Sequence, residues 1–340
     1  MKVFCDASNM HMGGGKKLIS DFINSAKNFL ETEFVIFIDP RLNLKIIKYK
    51  NIKFIIVSKF IRIFICFYIN FKVNKEDHII YLGNIPPIWG SKCTSSLYLG
   101  NRYLINNSST KGFKIKARIR ICLERFMFYL FQGNINEIII QSTSMQELLN
   151  KKIKGKNKVK IFPFFNFDHI NLKKNINKLY DFIYIASDEP HKNHINLLKS
   201  WCELARQHIY PSLCLILPSG SFLENEIKSI KLIDKLIKIE IKNNLSYEQT
   251  MFYLKSSNAL IFPSYFESFG LPLLEANHLN IDIIASEKDF VRDIVDPQET
   301  FDPTSHNSIT RAIKRYLNIN EPKTNIKSAK EFIEYFLKNK

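Results

Sequence analysis

The 340-residue chain is too long for one ordinary domain and long enough for two of about 150 to 180 residues, each able to bury its own core. With 46% hydrophobic and 24% charged residues it is neither disordered nor fibrous, and its formal charge of +17 turns attention to anionic partners: nucleic acid, acidic lipid or phosphorylated substrates. Six scattered cysteines (Cys5, Cys66, Cys93, Cys122, Cys202 and Cys214) show no CxxC or Cys/His ligand spacing, so they suggest no disulfide framework or zinc site and read as buried, reduced thiols of a cytosolic protein.

The N-terminus runs directly into a strand, leaving no room for a signal-peptide apolar region. Strand 2–6 leads to Gly13-Gly14-Gly15, which opens a helix to about Ala26. Glycines there let backbone approach a ligand and expose helix N–H groups, although a tight structural turn would use them equally. Strands follow at 33–38 and 53–57. The apolar segment 60–71 carries Arg62 and is shorter than the roughly 20 residues that span a bilayer, so it reads as a buried helix. Strands at 78–82 and 96–99 end in the loops Gly83-Asn84-Ile85-Pro86-Pro87 and Leu99-Gly100-Asn101-Arg102-Tyr103. A basic helix spans 116–131, and its interleaved Ile, Phe and Leu predict a buried face rather than a nucleic-acid surface. A strand at 137–141 and a helix at 143–151 complete a parallel α/β unit.

The polar, lysine-rich stretch 151–160 and the following Ile161-Phe-Pro-Phe-Phe-Asn166 mark the domain joint, with Phe162, Phe164 and Phe165 expected in its core. The pattern then restarts. Strands are predicted at 181–186, 213–217, 238–241 (an edge), 259–262 and 282–285, and helices at 193–207, 222–237, 246–256 and 272–279. Ser328-Ala-Lys-Glu331 is a capping box that begins a terminal helix with Phe332, Ile333, Phe336 and Leu337 on one face. The chain divides into an N-terminal domain (1–165), a C-terminal domain (166–320) and a final helix (321–340) that returns to the first domain. Each domain is a Rossmann-like, doubly wound α/β sheet, and ligand binding falls in the cleft between them.

The chemistry concentrates after two strands of the second domain. In Phe262-Pro-Ser-Tyr-Phe-Glu-Ser-Phe-Gly-Leu-Pro-Leu-Leu-Glu-Ala276, a buried strand ends, a loop carries Glu267, and a helix begins near Pro272, a residue suited to the first helical turn. Neither Gly270 nor Leu271 offers a side-chain cap, so the helix N–H groups form a seat for a diphosphate. Glu267 and Glu275, eight positions apart, flank that seat and can accept hydroxyl hydrogen bonds, Glu267 from a sugar and Glu275 from a ribose. Isolated glutamates would serve equally well as solvated or dipole-complementing charges. In Ile185-Ala-Ser-Asp-Glu-Pro-His-Lys-Asn-His194, Lys192 precedes a helix, where a cation is disfavoured unless an anion binds beside it. There it can stabilise a leaving diphosphate.

The segment FPSYFESFGLPLLEA resembles the E-x7-E signature of glycosyltransferase family 4, retaining enzymes of the GT-B fold, and DEPHKNH resembles members that build surface polysaccharides. The resemblance is firm over residues 180–300 and fainter over the first 165. It implies α/β architecture of the GT-B type, with two Rossmann-like domains facing across a cleft. It also implies transfer of a sugar from a nucleotide-sugar donor to a saccharide or lipid-linked saccharide acceptor, as in O-antigen assembly, with no cofactor and no essential metal. Lys192 and Glu267 become the catalytic pair. Gly14, Gly15, Ser268, Phe269, Gly270, Leu271 and Glu275 become donor-binding residues, and Asn84, Asn101 and Arg102 face the acceptor. The family commonly places an arginine about six residues before the lysine; here that position is Ala186, so the phosphate clamp is incomplete or His191 or His194 assists. The expected setting is the cytoplasm, with peripheral contact between the basic N-terminal domain and anionic membrane and no nucleic-acid partner. A non-catalytic relative acting as a partner protein, suggested by Ala186, and a basic nucleic-acid-binding protein are the competing readings.

Overall fold

The computed structural model describes residues 1–11, 13–42, 49–58, 61–106, 110, 112–153, 158–166, 176–319 and 325–331. The first domain is a seven-stranded parallel sheet of order β3-β2-β1-β4-β5-β6-β7. Its strands are β1 (Lys2–Ala7), β2 (Glu33–Ile38), β3 (Ile52–Ile56), β4 (His78–Tyr81), β5 (Thr94–Tyr98), β6 (Glu137–Ile140) and β7 (Lys158–Ile161). Alternation along β1 and β2 sends Val3, Cys5, Ile36 and Ile38 to one face, where Leu18, Ile19 and Ile23 of helix α1 (Gly13–Ala26) cover them. Phe4, Val35 and Phe37 point to the other face. There they meet α2 (Ile65–Lys72), α3 (Ile115–Phe131) and α4 (Thr143–Asn150) through Ile65, Ile69, Phe128, Met145 and Leu149.

The second domain is a six-stranded parallel sheet of order β10-β9-β8-β11-β12-β13. Its strands are β8 (Tyr180–Ile185), β9 (Leu213–Ile216), β10 (Ile239–Lys242), β11 (Ser257–Phe262), β12 (Asp282–Ser286) and β13 (Glu299–Phe301). Helices α5 (His194–Arg206), α6 (Leu223–Ile233), α7 (Tyr247–Lys255), α8 (Leu271–His278), α9 (Asp289–Arg292) and α10 (His306–Tyr316) surround it. One buried cluster unites Phe182, Tyr184, Trp201, Phe262 and Phe290. Ser246 caps α7 in a reciprocal capping box with Gln249. In both sheets the strand order reverses at the first strand of the domain, between β1 and β4 and between β8 and β11. A crevice forms at the carboxyl ends of the strands flanking such a reversal. The glycine loop follows β1, Lys192 follows β8 and Glu267 follows β11, so topology alone carries all three to crevices.

Five expectations are corrected. The stretch 151–160 is not wholly linker: residues 158–161 form edge strand β7, whose Lys-Val-Lys-Ile alternation is too short to stand out from the lysine-rich run before it. Over 61–71, the described part of the segment expected as a buried helix, Phe64, Phe67, Tyr68 and Phe71 face solvent while Ile65, Cys66 and Ile69 pack inward. The interleaved apolar residues of α3 do not form a buried face either; only Ile121 and Phe128 are buried. Of the joint phenylalanines, Phe164 packs on Tyr98 at 5.3 Å and Phe165 lies under the Lys17 ammonium, but Phe162 is exposed. Cys122 is exposed and Cys202 half-buried, the other four cysteines being buried. The Ser328–Glu331 box forms, with the Ser328 amide donating to Glu331 at 2.8 Å and the Glu331 amide to Ser328 Oγ at 3.2 Å. The apolar face expected beyond it, and any return to the first domain, lie outside the described residues.

Candidate active site

The loops after β8 and β11 are joined by their own hydrogen bonds. Tyr184, buried at the end of β8, donates its hydroxyl to the Lys192 carbonyl at 2.8 Å and lies 3.0 Å from Ser264 Oγ. Asn193 adopts a left-handed conformation (φ 60°) between the short turn and α5. Its side-chain Nδ2 donates to the carbonyls of Pro263 and Pro303 at 2.9 and 2.7 Å. The Tyr265 amide donates to the His191 carbonyl. This framework aims Lys192 at Glu267: the ammonium donates to both carboxylate oxygens, at 2.7 and 2.9 Å. Only 17% and 11% of the two side chains are exposed. Burial alone would raise the Glu267 carboxyl, but Lys192 and His191 hold it below its ordinary value. The cation before a helix start therefore has its anion, supplied by the protein.

Gly270 sits at φ 77° as the N-cap of α8, and no side chain caps the helix. A Cβ on Gly270 would come within 3.0 Å of Leu273 Cδ1. Gly270→Ala is accordingly expected to cost about 1–3 kcal/mol, from the left-handed backbone and the displaced leucine. Denaturant unfolding of the variant checks this, and a cost within a few tenths of a kcal/mol would contradict it. Across the cleft, Gly14 stands so close that its Cβ would lie 3.0 Å from Leu271 Cδ1. The starts of α1 and α8 thus meet, and two helix N-termini of like partial charge favour an anion near their junction. Gly15 is backed by Met10, and Phe269 is almost fully buried.

Glu275, on α8, is 5% exposed. Burial pushes its carboxyl up to about 7, with Tyr247 and Lys17 pulling down and Asp21 pushing up. Lys17 belongs to the first domain, where it donates to Asp21 at 2.6 Å and to the Asn166 carbonyl at 3.1 Å. Its ammonium also lies 5.0 Å from the Tyr247 ring of the second domain. The sequence reading missed Lys17 and Tyr247; the one available signal was Lys17 on the helix opened by the triple glycine. Glu267 is thus paired with Lys192 of its own domain, whereas Lys17, across the cleft and itself paired with Asp21, favours the charged form of Glu275 from a distance.

The expected acceptor residues are committed elsewhere in this state. Asn84, at φ 68°, accepts from the Gly100 amide at 2.6 Å, and Asn101 accepts from the Tyr103 amide at 3.1 Å, so both shape their loops. Arg102 does not open toward an acceptor. It is buried, donating through Nη1 to the Glu267 carbonyl (3.0 Å) and Ser144 Oγ (3.2 Å), while its amide donates to Ser268 Oγ (2.9 Å). Asp289 and Asp293 of the second domain oppose the loss of charge that burial favours. A further bond, Ser144 amide to Asp293, closes the same seam at 3.0 Å. The two histidines that could assist in place of the arginine absent at Ala186 both lie beside Lys192, after β8. Burial lowers His191, which lies 5.1 Å from the Phe266 ring, and lowers His194 to about 4, its Nε2 meeting the Ser187 carbonyl at 2.8 Å.

Two parallel-sheet α/β domains, each with its loops gathered at a strand-order reversal, define a GT-B-type fold. The family profile described as "Glycosyl transferases group 1" matches residues 166–335, half of the chain, and the chain belongs to that family. It is 25% identical over 211 residues to an uncharacterised glycosyltransferase of Methanocaldococcus jannaschii, covering 57% of this chain and 50% of that protein. It is 26% identical over 167 residues to the serotype-specific mannosyltransferase WbdA of Escherichia coli, covering 46% of this chain and 20% of that protein. The chain thus aligns with half or less of the length of these relatives. Among solved structures, WaaG, a glycosyltransferase involved in lipopolysaccharide biosynthesis, superposes with a TM-score of 0.66 at 12% identity over 94% of this chain and 90% of that one. HepE of Anabaena, solved with UDP and glucose, gives 0.61 at 13% identity over 93% and 90%. These likenesses establish the fold.

Proposed function

We propose that this group 1 glycosyltransferase is a family 4, retaining enzyme that moves a hexosyl group from a nucleotide sugar to a lipid-linked saccharide in cell-surface polysaccharide assembly. Its setting on this reading is the cytoplasm, at the inner face of the cytoplasmic membrane. The observation that carries the reading is the contact of Lys192 with Glu267 directly before the uncapped start of α8. The donor diphosphate sits at that helix start, Glu267 accepts hydroxyl hydrogen bonds from the sugar, and buried Glu275 accepts from the ribose. As the anomeric carbon–oxygen bond to phosphate breaks, negative charge grows on the diphosphate, and Lys192 and the α8 dipole stabilise it. The acceptor hydroxyl attacks the same face, and its proton passes to the departing phosphate oxygen, leaving a nucleoside diphosphate and a glycoside. The reading assigns no cofactor and no metal, because the lysine and the helix dipole supply the positive charge. The mannosyltransferase relative supports a hexosyl donor, and the UDP and glucose bound to HepE support a nucleotide sugar.

A ligand that binds only the folded state raises its melting temperature by mass action. Screening UDP-, GDP- and dTDP-sugars is expected to give one nucleotide class that stabilises the chain by several degrees at about 100 times its dissociation constant. No stabilisation by any of them would remove the donor site. Ala186 favours a second reading, a relative that binds donor without turning it over. Donor binding with no turnover, unchanged by Glu267→Gln, would select it.

A further inference from the structure

The turn Arg102–Leu104, after β5, reaches out of the first domain and closes on the loop that carries Glu267. Asn101 caps the turn, its Oδ1 accepting from the Tyr103 amide. Arg125 of α3 braces it from behind, donating to the carbonyls of Tyr103 (2.6 Å) and Asn106 (2.8 Å). Arg102 and Tyr103 then take the loop from two sides. Arg102 holds the peptide: Nη1 donates to the Glu267 carbonyl at 3.0 Å, and its amide donates to Ser268 Oγ at 2.9 Å. Tyr103 holds the rings, its own lying 4.6 Å from Phe266 and 5.5 Å from His191, both edge-to-face.

The loop depends on this grip. Tyr265 is tied to its own domain through the His191 carbonyl, and Gly270 through the Leu273 amide. Between those anchors, residues 266–269 make no backbone–backbone hydrogen bond among the described residues, so the peptide that aims Glu267 is held by Arg102, from the opposite domain. Adhesion alone does not account for this arginine. Its guanidinium bonds to a carbonyl and to Ser144 Oγ rather than to a carboxylate, although Asp293 is near enough to take the Ser144 amide. Its Nε is buried and, among the described residues, without a hydrogen-bond partner. That is a cost to stability which a contact serving only to join two domains has no reason to carry. We propose that Arg102 is a positioning residue for Glu267, so that the carboxylate takes its working geometry only when the first domain closes on the second. Arg102 touches no reacting atom on this account; it acts through Glu267. What Glu267 does rests on the donor reading given above, whereas how it is held does not.

Turnover and donor KM are measured separately in variants of the full chain. A shift of about 1 Å at a reacting group costs about 10²-fold in rate. Arg102→Met is therefore expected to lower turnover at saturating donor by about 10²-fold while changing the donor KM by less than about threefold. Arg102→Lys, which keeps a donor for the Glu267 carbonyl, should recover about tenfold of that loss. Glu267→Gln is the deciding background, because a residue that works through Glu267 has little left to lose once the carboxylate is gone. Arg102→Met added there should lower the residual rate by less than about threefold. A contact that only joins the domains would give the full loss in both backgrounds and overturn the proposal. So would wild-type turnover in Arg102→Met, or a donor KM that rises in step with the lost turnover. Hydrogen exchange reads the grip without activity, and serves equally if Arg102→Met does not fold. The Arg102 amide, which donates to Ser268 Oγ, should exchange about tenfold or more faster in Ser268→Ala, which removes one hydroxyl and keeps the backbone. Should the wild-type chain transfer no sugar from any nucleotide, that faster exchange would sink the donor reading and leave the grip standing. Unchanged exchange would remove the grip itself.

Discussion

Lys192→Met is expected to lower glycosyl transfer by about 10²- to 10³-fold, the usual cost of removing one preorganised charge-stabilising group from a transition state. The lysine also has a ground-state role, and the two effects must be separated. Its ammonium satisfies both oxygens of a Glu267 carboxylate that is nearly out of water. Taking away one member of such a pair leaves an uncompensated charge, at a cost of up to about 3–5 kcal/mol. Lys192→Met is therefore expected to be both slow and destabilised. Adding Glu267→Gln removes the orphaned charge, so the double variant should recover most of the lost stability while turnover stays low. Comparing unfolding free energies with turnover under saturating donor resolves the two roles. Wild-type turnover in either lysine variant, or stability and turnover recovering together in the double variant, would show that the pair only holds the fold together.

The placing of Lys192 and Glu267 was legible in the sequence, though their direct contact was not, because each follows a strongly apolar strand and precedes a helix start, and parallel sheets gather such positions at a strand-order reversal. The geometry between the domains was not legible. Lys17 meets Tyr247 across 230 positions of chain, and nothing local to either residue signals the other. Arg102 stands on a loop of the kind that lines clefts, which suggested an acceptor; only its bonds to Glu267 and Ser268 show it closing the seam. Exposure was the other blind spot. A helical stripe such as Ile115–Ile119–Leu123–Phe126 has the same period whether it faces a core or solvent, and its apolar composition pointed to the core. Edge strands escaped for the opposite reason: β7 and β13 are short and partly exposed, so they carry too few apolar residues to set a period. Helix α10 escaped because Ile309, Ala312 and Ile313 make a narrow stripe among polar neighbours, although Ser305 already stood there as its cap.

Glu275→Gln is expected to make the unliganded protein more stable at pH 8 while weakening its hold on donor. Burial raises this carboxyl to about 7 against an ordinary 4.5. Between those two pH values the folded chain keeps a proton that the unfolded chain has lost, so the carboxyl's contribution falls as pH rises through the window. The full difference is about 3 kcal/mol, lost by pH 8. Glutamine reproduces the neutral acid and does not ionise, so the variant avoids that loss. The wild-type profile alone would conceal the effect, because His194, lowered by burial to about 4, works oppositely over much of the same range. As pH falls below the ordinary value of 6.5, the unfolded chain takes up a proton that buried His194 refuses, and stability drops. Subtracting the wild-type profile from that of the variant cancels the histidine and leaves Glu275. The difference in melting temperature should be near zero around pH 4.5 and grow to several degrees by pH 8. Donor binding should move the other way, by about tenfold or more, since a charged hydrogen bond to a ribose hydroxyl is replaced by a neutral one. Above about pH 7 the unliganded protein thus carries a buried carboxylate at a net cost, and on the proposed reading a ribose hydroxyl donating to it offsets that cost on binding. A flat difference profile, or wild-type donor affinity in the variant, would break the link between the burial of Glu275 and the donor.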